Sequence, residues 1–284
     1  MNLEPAVVVP VVVAAAWYAS GMRHRRLRLV GRRSRRPSDL WRPLCFYSGL
    51  LSIVVALVPL DHAADELFWA HMVQHVLLML VAAPLIVLGA PWMPFWRPLP
   101  LGFRRAVAGT LVKSPRLGRL RAAACAVASP LGAWLLFNAD LVFWHIPRFF
   151  DLTLASPAVH YAEHASFLAF GMLFWAQVID SPPFRCGLDH IQRAVYVTAG
   201  ATVSWLLAVV LALAPTPLYE AYASLASRPG GISALTDQQL ASGVMWGPGS
   251  ITYGVIVFWA IYRWLGVEET EREGAPSRRL ATRA

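Results

Sequence analysis

Charge is scarce in this chain. Only 14% of its 284 residues are Asp, Glu, Lys or Arg, where a soluble domain carries nearer a quarter. Hydrophobic residues make up 57%, and mean hydropathy is +0.50. Apolar runs of about 20 residues recur along the chain, each long enough to cross a bilayer as a helix. The short dyad alternation of a transmembrane barrel is missing. The expected fold class is therefore all-α, a polytopic membrane protein in contact with the lipid bilayer.

Other absences narrow the function. The three cysteines, Cys45, Cys125 and Cys186, form no CxxC pair and imply no disulfide framework. There is no Walker motif, nucleophile elbow, H-E-x-x-H or Rossmann fingerprint. No span carries the buried carboxylate relay of a proton-coupled transporter. The chain is not expected to be an enzyme. Its net charge of +9 is no sign of nucleic-acid binding, because the basic residues lie between apolar spans, where they set topology and meet anionic lipid.

Seven spans are expected, at approximately 3–20, 40–60, 67–90, 122–143, 158–179, 192–213 and 242–265. Residues 1–265 then form one membrane domain, and the polar, charged 266–284 a disordered cytoplasmic tail. The loops fix orientation. All but two (Arg148 and Arg228) of the 25 basic residues fall on one side, with clusters at 23–42 and 97–121. The positive-inside rule makes that side cytoplasmic, with the N-terminus outside and the C-terminus inside.

Within the apolar runs are two histidine pairs of identical spacing, His71-x-x-x-His75 and His160-x-x-x-His164. Residues four apart share a helix face, so each pair aims two imidazoles one way, about 6 Å apart along the axis. Spans three and five both enter from outside, which sets the pairs at matching depth under the outer face. Ionisable groups at such positions are costly and mark function. Glu163 adjoins the second pair, Met72 and Met79 flank the first, and Asp237 and Met245 lie at the start of span seven. Imidazole with thioether suits copper, and a carboxylate such as Glu163 or Asp237 suits the role of orienting a ligand ring. His62 and His145 read as exposed groups or hydrogen bonders between helices, and Gln74 as an interhelical hydrogen bonder.

Four stretches carry a family likeness: His71-Met-Val-Gln-His75 with Ala-Pro-Leu-Ile-Val-Leu-Gly-Ala-Pro after it; Asn138 through Phe-Trp-His-Ile-Pro; His160-Tyr-Ala-Glu-His164; and Leu-Thr-Asp237-Gln-Gln-Leu-Ala-Ser-Gly-Val-Met245-Trp. By these the chain resembles the polytopic CtaG family of cytochrome c oxidase assembly factors, the caa3-type group. The resemblance implies a bacterial inner or plasma membrane. It also implies a role in maturing a haem–copper oxidase, by delivering copper to an oxidase subunit or helping its insertion. The single-span copper chaperone that shares the CtaG name uses cysteines. This chain has none on its outer side, which excludes thiolate transfer there.

The site expected on both grounds holds a metal, copper, through His71, His75, His160 and His164. Met245 or Met72 would be accessory donors, and Asp237 or Glu163 would orient the rings. Asp61, Asp65 and Glu66 would concentrate cations at its mouth. A b-type haem held by one histidine per helix and a copper transporter are the alternatives.

Overall fold

The computed structural model describes residues 5–28 and 38–274, and every regular element among them is helical. In chain order these are α1 (Pro5–Arg28), α2 (Ser38–Leu57), the short α3 (Asp61–Glu66), α4 (Phe68–Leu88), α5 (Trp92–Trp96), α6 (Leu101–Lys113), α7 (Gly118–Val127), α8 (Pro130–Trp144), α9 (Pro147–Ala155), α10 (Pro157–Ala176), α11 (His190–Leu213), the one-turn α12 (Glu220–Ala223) and α13 (Ala234–Gly274). The arginines at 32, 33, 35 and 36 lie outside the described residues. So do residues 275–284 of the expected tail, whose beginning continues α13 as helix to Gly274.

Among the described residues, five helices are long and apolar enough to cross a membrane: α1, α2, α4, α11 and α13. Two of the seven expected spans fall outside these five. The span expected at 122–143 is broken, with α7 and α8 meeting at a 70° bend. Ser129 starts a new helix there: its backbone is extended, its hydroxyl accepts the Gly132 N–H at 3.1 Å, and Pro130 takes the first helical position. The pair counts as a sixth span only if taken as one. The second place is α10, which has the length at 20 residues, but His160, Glu163 and His164 lower its hydropathy.

α4 is the central helix. Two thirds (67%) of its spanning window is buried, against 17–39% for the other four. Gln74 ties it to α2 by donating to the Ala56 carbonyl at 2.9 Å. Midway, over Leu77–Ala82, it widens into a π-helical turn, a distortion common near functional sites. Pro84 follows, with no N–H to offer the carbonyls of Met79 or Leu80. In an apolar interior a neighbouring side chain must serve such carbonyls. Trp175 Nε1 of α10 donates to the Met79 carbonyl at 2.8 Å, and Thr252 Oγ1 of α13 donates to that of Leu80 at 2.8 Å.

The ends of the bundle differ in kind. At one end lie the N-termini of α4, α10 and α13, with α3, α9 and the 214–233 connection. At the other, Arg193 binds Asp180 at 3.2 Å and the Val178 carbonyl at 3.0 Å, and Trp92 and Ser181 link α5 to the Val87 carbonyl. Arg97 and α6 follow α4 at that second end.

Replacing Thr252 by valine keeps shape and removes the donor to Leu80. Hydrogen bonds between membrane helices average about 0.6 and reach about 1.7 kcal/mol. A loss of that size is expected from unfolding of the detergent-solubilised protein, with no change in helix content by circular dichroism.

Candidate metal centre

His71 and His75 lie on successive turns of α4 before its π-turn, and His160, Glu163 and His164 lie in the first two turns of α10. The two helices approach closely because α10 has glycine where they touch. A Cβ on Gly171 would stand only 3.1 Å from the Ala83 Cβ. Four side chains converge as a result: His71, His75, Glu163 and His164 each offer a donor atom, all within 4.8 Å of one another. His71 and Glu163 are fully buried, His75 is 3% exposed and His164 5%. The His160 ring lies beside them, 4.2 Å from that of His164 and 5.1 Å from that of His71.

Glu163 is the hub. Its two oxygens stand 3.5 Å from His71 Nε2 and 3.5 Å from His75 Nε2, yet none of these four atoms makes a hydrogen bond. The protons can be traced. Tyr222 donates its single hydroxyl hydrogen to the Ala64 carbonyl at 2.5 Å. Burial, and then Asp237, hold that phenol well above its ordinary pKa, so it keeps the hydrogen. The same oxygen lies 3.2 Å from His71 Nδ1 and can only accept there, so Nδ1 carries the ring proton. In the neutral imidazole Nε2 is then a bare lone pair aimed at a carboxylate. Only positive charge between them, a proton or a metal ion, reconciles the two. The spacing fits an ion: donors about 2.1 Å from a tetrahedral centre stand about 3.4 Å apart.

A polar cavity of about 220 Å³ opens beside the cluster, lined by Asp61, Asp65, Thr153, His160 and His164 among others. It joins the acidic loop to the last residue of the cluster. Burial, and then Asp61, push the Asp65 carboxyl above its ordinary value.

The remaining expected residues lie elsewhere. Asp237 is outside the cluster: its carboxylate accepts the Phe68 N–H at 2.9 Å and the Trp69 N–H at 3.0 Å. It thus caps α4 from another helix and fixes the turn that carries His71. Arg228 approaches the same carboxylate at 3.9 Å. Met72 turns toward His145, Sδ to Nε2 at 3.4 Å. Met245 lines a small cavity with Met72, Met79, His75 and His145. His145 is 5% exposed and so not a surface group: one ring nitrogen meets Met72 of α4 and the other, Nδ1, meets the Leu141 carbonyl of its own helix at 2.7 Å. Tyr222 and Tyr219 were not singled out in the sequence. Their one signal is a pair of tyrosines in an otherwise weakly patterned connection.

Compared with known families, residues 16–266 match the one described as cytochrome c oxidase caa3 assembly factor. No curated protein and no solved structure matches the chain.

Removing the cap with Asp237→Ala leaves two N–H groups unserved, a loss of about 1–2 kcal/mol. Hydrogen exchange is expected to quicken at Phe68–His71 and to stay unchanged beyond the π-turn. Asp65 gives a pH test. With its folded pKa raised, the unfolded chain releases this proton first as pH climbs through the carboxylate range, so the folded state loses stability there. Asp65→Asn should raise the unfolding midpoint at neutral pH, and the gain should vanish as pH falls below that range.

Proposed function

This chain belongs to the family of cytochrome c oxidase caa3 assembly factors, and from that membership we propose that it carries copper as cargo for a haem–copper oxidase subunit. The single observation behind this reading is the His71 Nε2, whose ring hydrogen sits on Nδ1 beside Tyr222, facing the buried Glu163 carboxylate at 3.5 Å, with His75 Nε2 at the same distance from its other oxygen. His71, His75, Glu163 and His164 would hold the ion. His160, at the cavity wall, would receive it from Asp61 and Asp65. Tyr222 and Asp237 hold the ligand helix in place. Exchange is built in, since His164 shares both cluster and cavity.

Orientation follows from charge. The arginines near the end of α1 and the basic residues from 97 to 121 lie at the end of the bundle away from the cluster. Positive-inside makes that end cytoplasmic, so the cluster sits under the outer face of a bacterial plasma membrane. On this reading α10 and the bent α7–α8 pair also cross, giving seven spans with the N-terminus outside. An outer location is where copper reaches an oxidase site facing that side.

The geometry favours copper over the two alternatives. A haem needs an open plane between two axial nitrogens, and here the Glu163 carboxylate stands 3.5 Å from both His71 Nε2 and His75 Nε2, and the His160 and His164 rings are only 4.2 Å apart. A transporter needs ligands that continue across the bilayer. The second half of α4, from Leu77 to Leu88, has no titratable residue.

Metal content by mass spectrometry on detergent-purified protein, with an optical spectrum, tests the reading. One equivalent of copper bound at the cluster is expected. Glu163→Gln should weaken it by at least about 100-fold, the upper end of what loss of even a supporting group costs. His71→Ala with His160→Ala should abolish it and leave the oxidase copper-deficient in cells. Copper and oxidase both intact in these variants would overturn the proposal, and a Soret band would replace it with haem.

A further inference from the structure

We infer that the chain contains a second metal site, specific for a soft monovalent ion, built from Met72, Met245 and His145 and adjoining His75. Its donors differ from those of the His–Glu cluster, and it shares with the proposed function only the cargo, copper in the Cu(I) state.

The argument again starts from protons. His145 Nδ1 lies 2.7 Å from the Leu141 carbonyl. A carbonyl only accepts, so Nδ1 carries the hydrogen, the arrangement by which a metal-binding imidazole is usually oriented. Tyr219 steadies the same residue by donating to its own carbonyl at 3.1 Å. The neutral ring then presents a bare Nε2, and what it faces at 3.4 Å is the Met72 sulfur, which has lone pairs and no hydrogen. Two electron-pair donors are thus buried face to face, Met72 at 1% exposure and His145 at 5%, with nothing between them to be shared. A cation would resolve this, as one would at Glu163.

Space and softness agree. A cavity of about 20 Å³ opens at this point, lined by Met72, Met79, Met245, His75 and His145. That is room for about one small atom. Thioether and imidazole donors select Cu(I) over harder ions. All the donors are neutral, so in apolar surroundings a monovalent ion leaves less uncompensated charge than a divalent one. The ring of His75 reaches both places: its Nε2 is 3.5 Å from Glu163, and its centroid is 6.0 Å from that of His145. One imidazole therefore borders two donor sets, and an ion can pass between them by ligand exchange without a change of oxidation state.

The test is to load the purified full-length protein in detergent with Cu(I) under reducing conditions. Bound copper is counted by mass spectrometry and its ligands read by X-ray absorption. The wild type is expected to hold two equivalents and to show a copper–sulfur shell. Met72→Leu and Met245→Leu, which keep side-chain volume, should each lose the sulfur shell and one equivalent. Glu163→Gln should lose the other equivalent and keep the shell. Copper without sulfur, or a sulfur shell unchanged in both methionine variants, would overturn the second site. A shell that persists while Glu163→Gln releases nothing would support it and overturn the cluster as a copper site. No bound copper in the wild type would overturn both.

Discussion

A fully buried carboxylate must meet positive charge, and most of this structure is organised around that requirement at Glu163. In apolar surroundings an unpaired ion is too costly to keep. Glu163 nevertheless faces, at His71, an imidazole nitrogen whose ring hydrogen lies on the other side, because Tyr222 fixes the tautomer of His71. The close α4–α10 approach at Gly171, the cap from Asp237 and the packing of Phe150 against His71 all hold this unresolved arrangement rigid. Such packing holds the four side chains in place with their donor atoms within 4.8 Å of one another.

The same rule of satisfying every buried polar group explains the irregular helix beside the site. The π-turn and Pro84 would leave two carbonyls of α4 exposed to an apolar interior. Trp175 and Thr252 reach in from different helices to serve them. The distortion thus fastens α4 to α10 and α13, the two elements that supply Glu163 and Asp237. A regular helix would have needed neither bond.

Much of this was legible in the sequence. The two His-x-x-x-His pairs and their meeting at one depth follow from helix periodicity and chain direction, which are local or nearly so; Glu163 was legible as a neighbour of the rings, not as the group that His71 and His75 both face. The break at Ser129-Pro130 was also written locally, but it lay inside an apolar run whose hydropathy masked it. The rest depended on contacts distant in sequence. Asp237 reads as a carboxylate that orients a ligand ring and instead caps α4, some 168 residues away. Tyr222 reaches His71 across 151 residues, and no spacing rule links them. His145 read as an exposed group or a hydrogen bonder between helices, and the sequence could not name its partner, Met72, which lies 73 positions earlier.

The long reach of Asp237 bears on when the site comes into being. Residues emerge from the ribosome in order, so α4 enters the membrane with its first two amides uncapped and His71 without Tyr222. Glu163 arrives later, and the phenol and the cap only with residues 222–237. The donors reach their final places only after residue 237 has been made. A product that stops before residues 222–237 therefore has the histidines and lacks the phenol and the cap that set them in place.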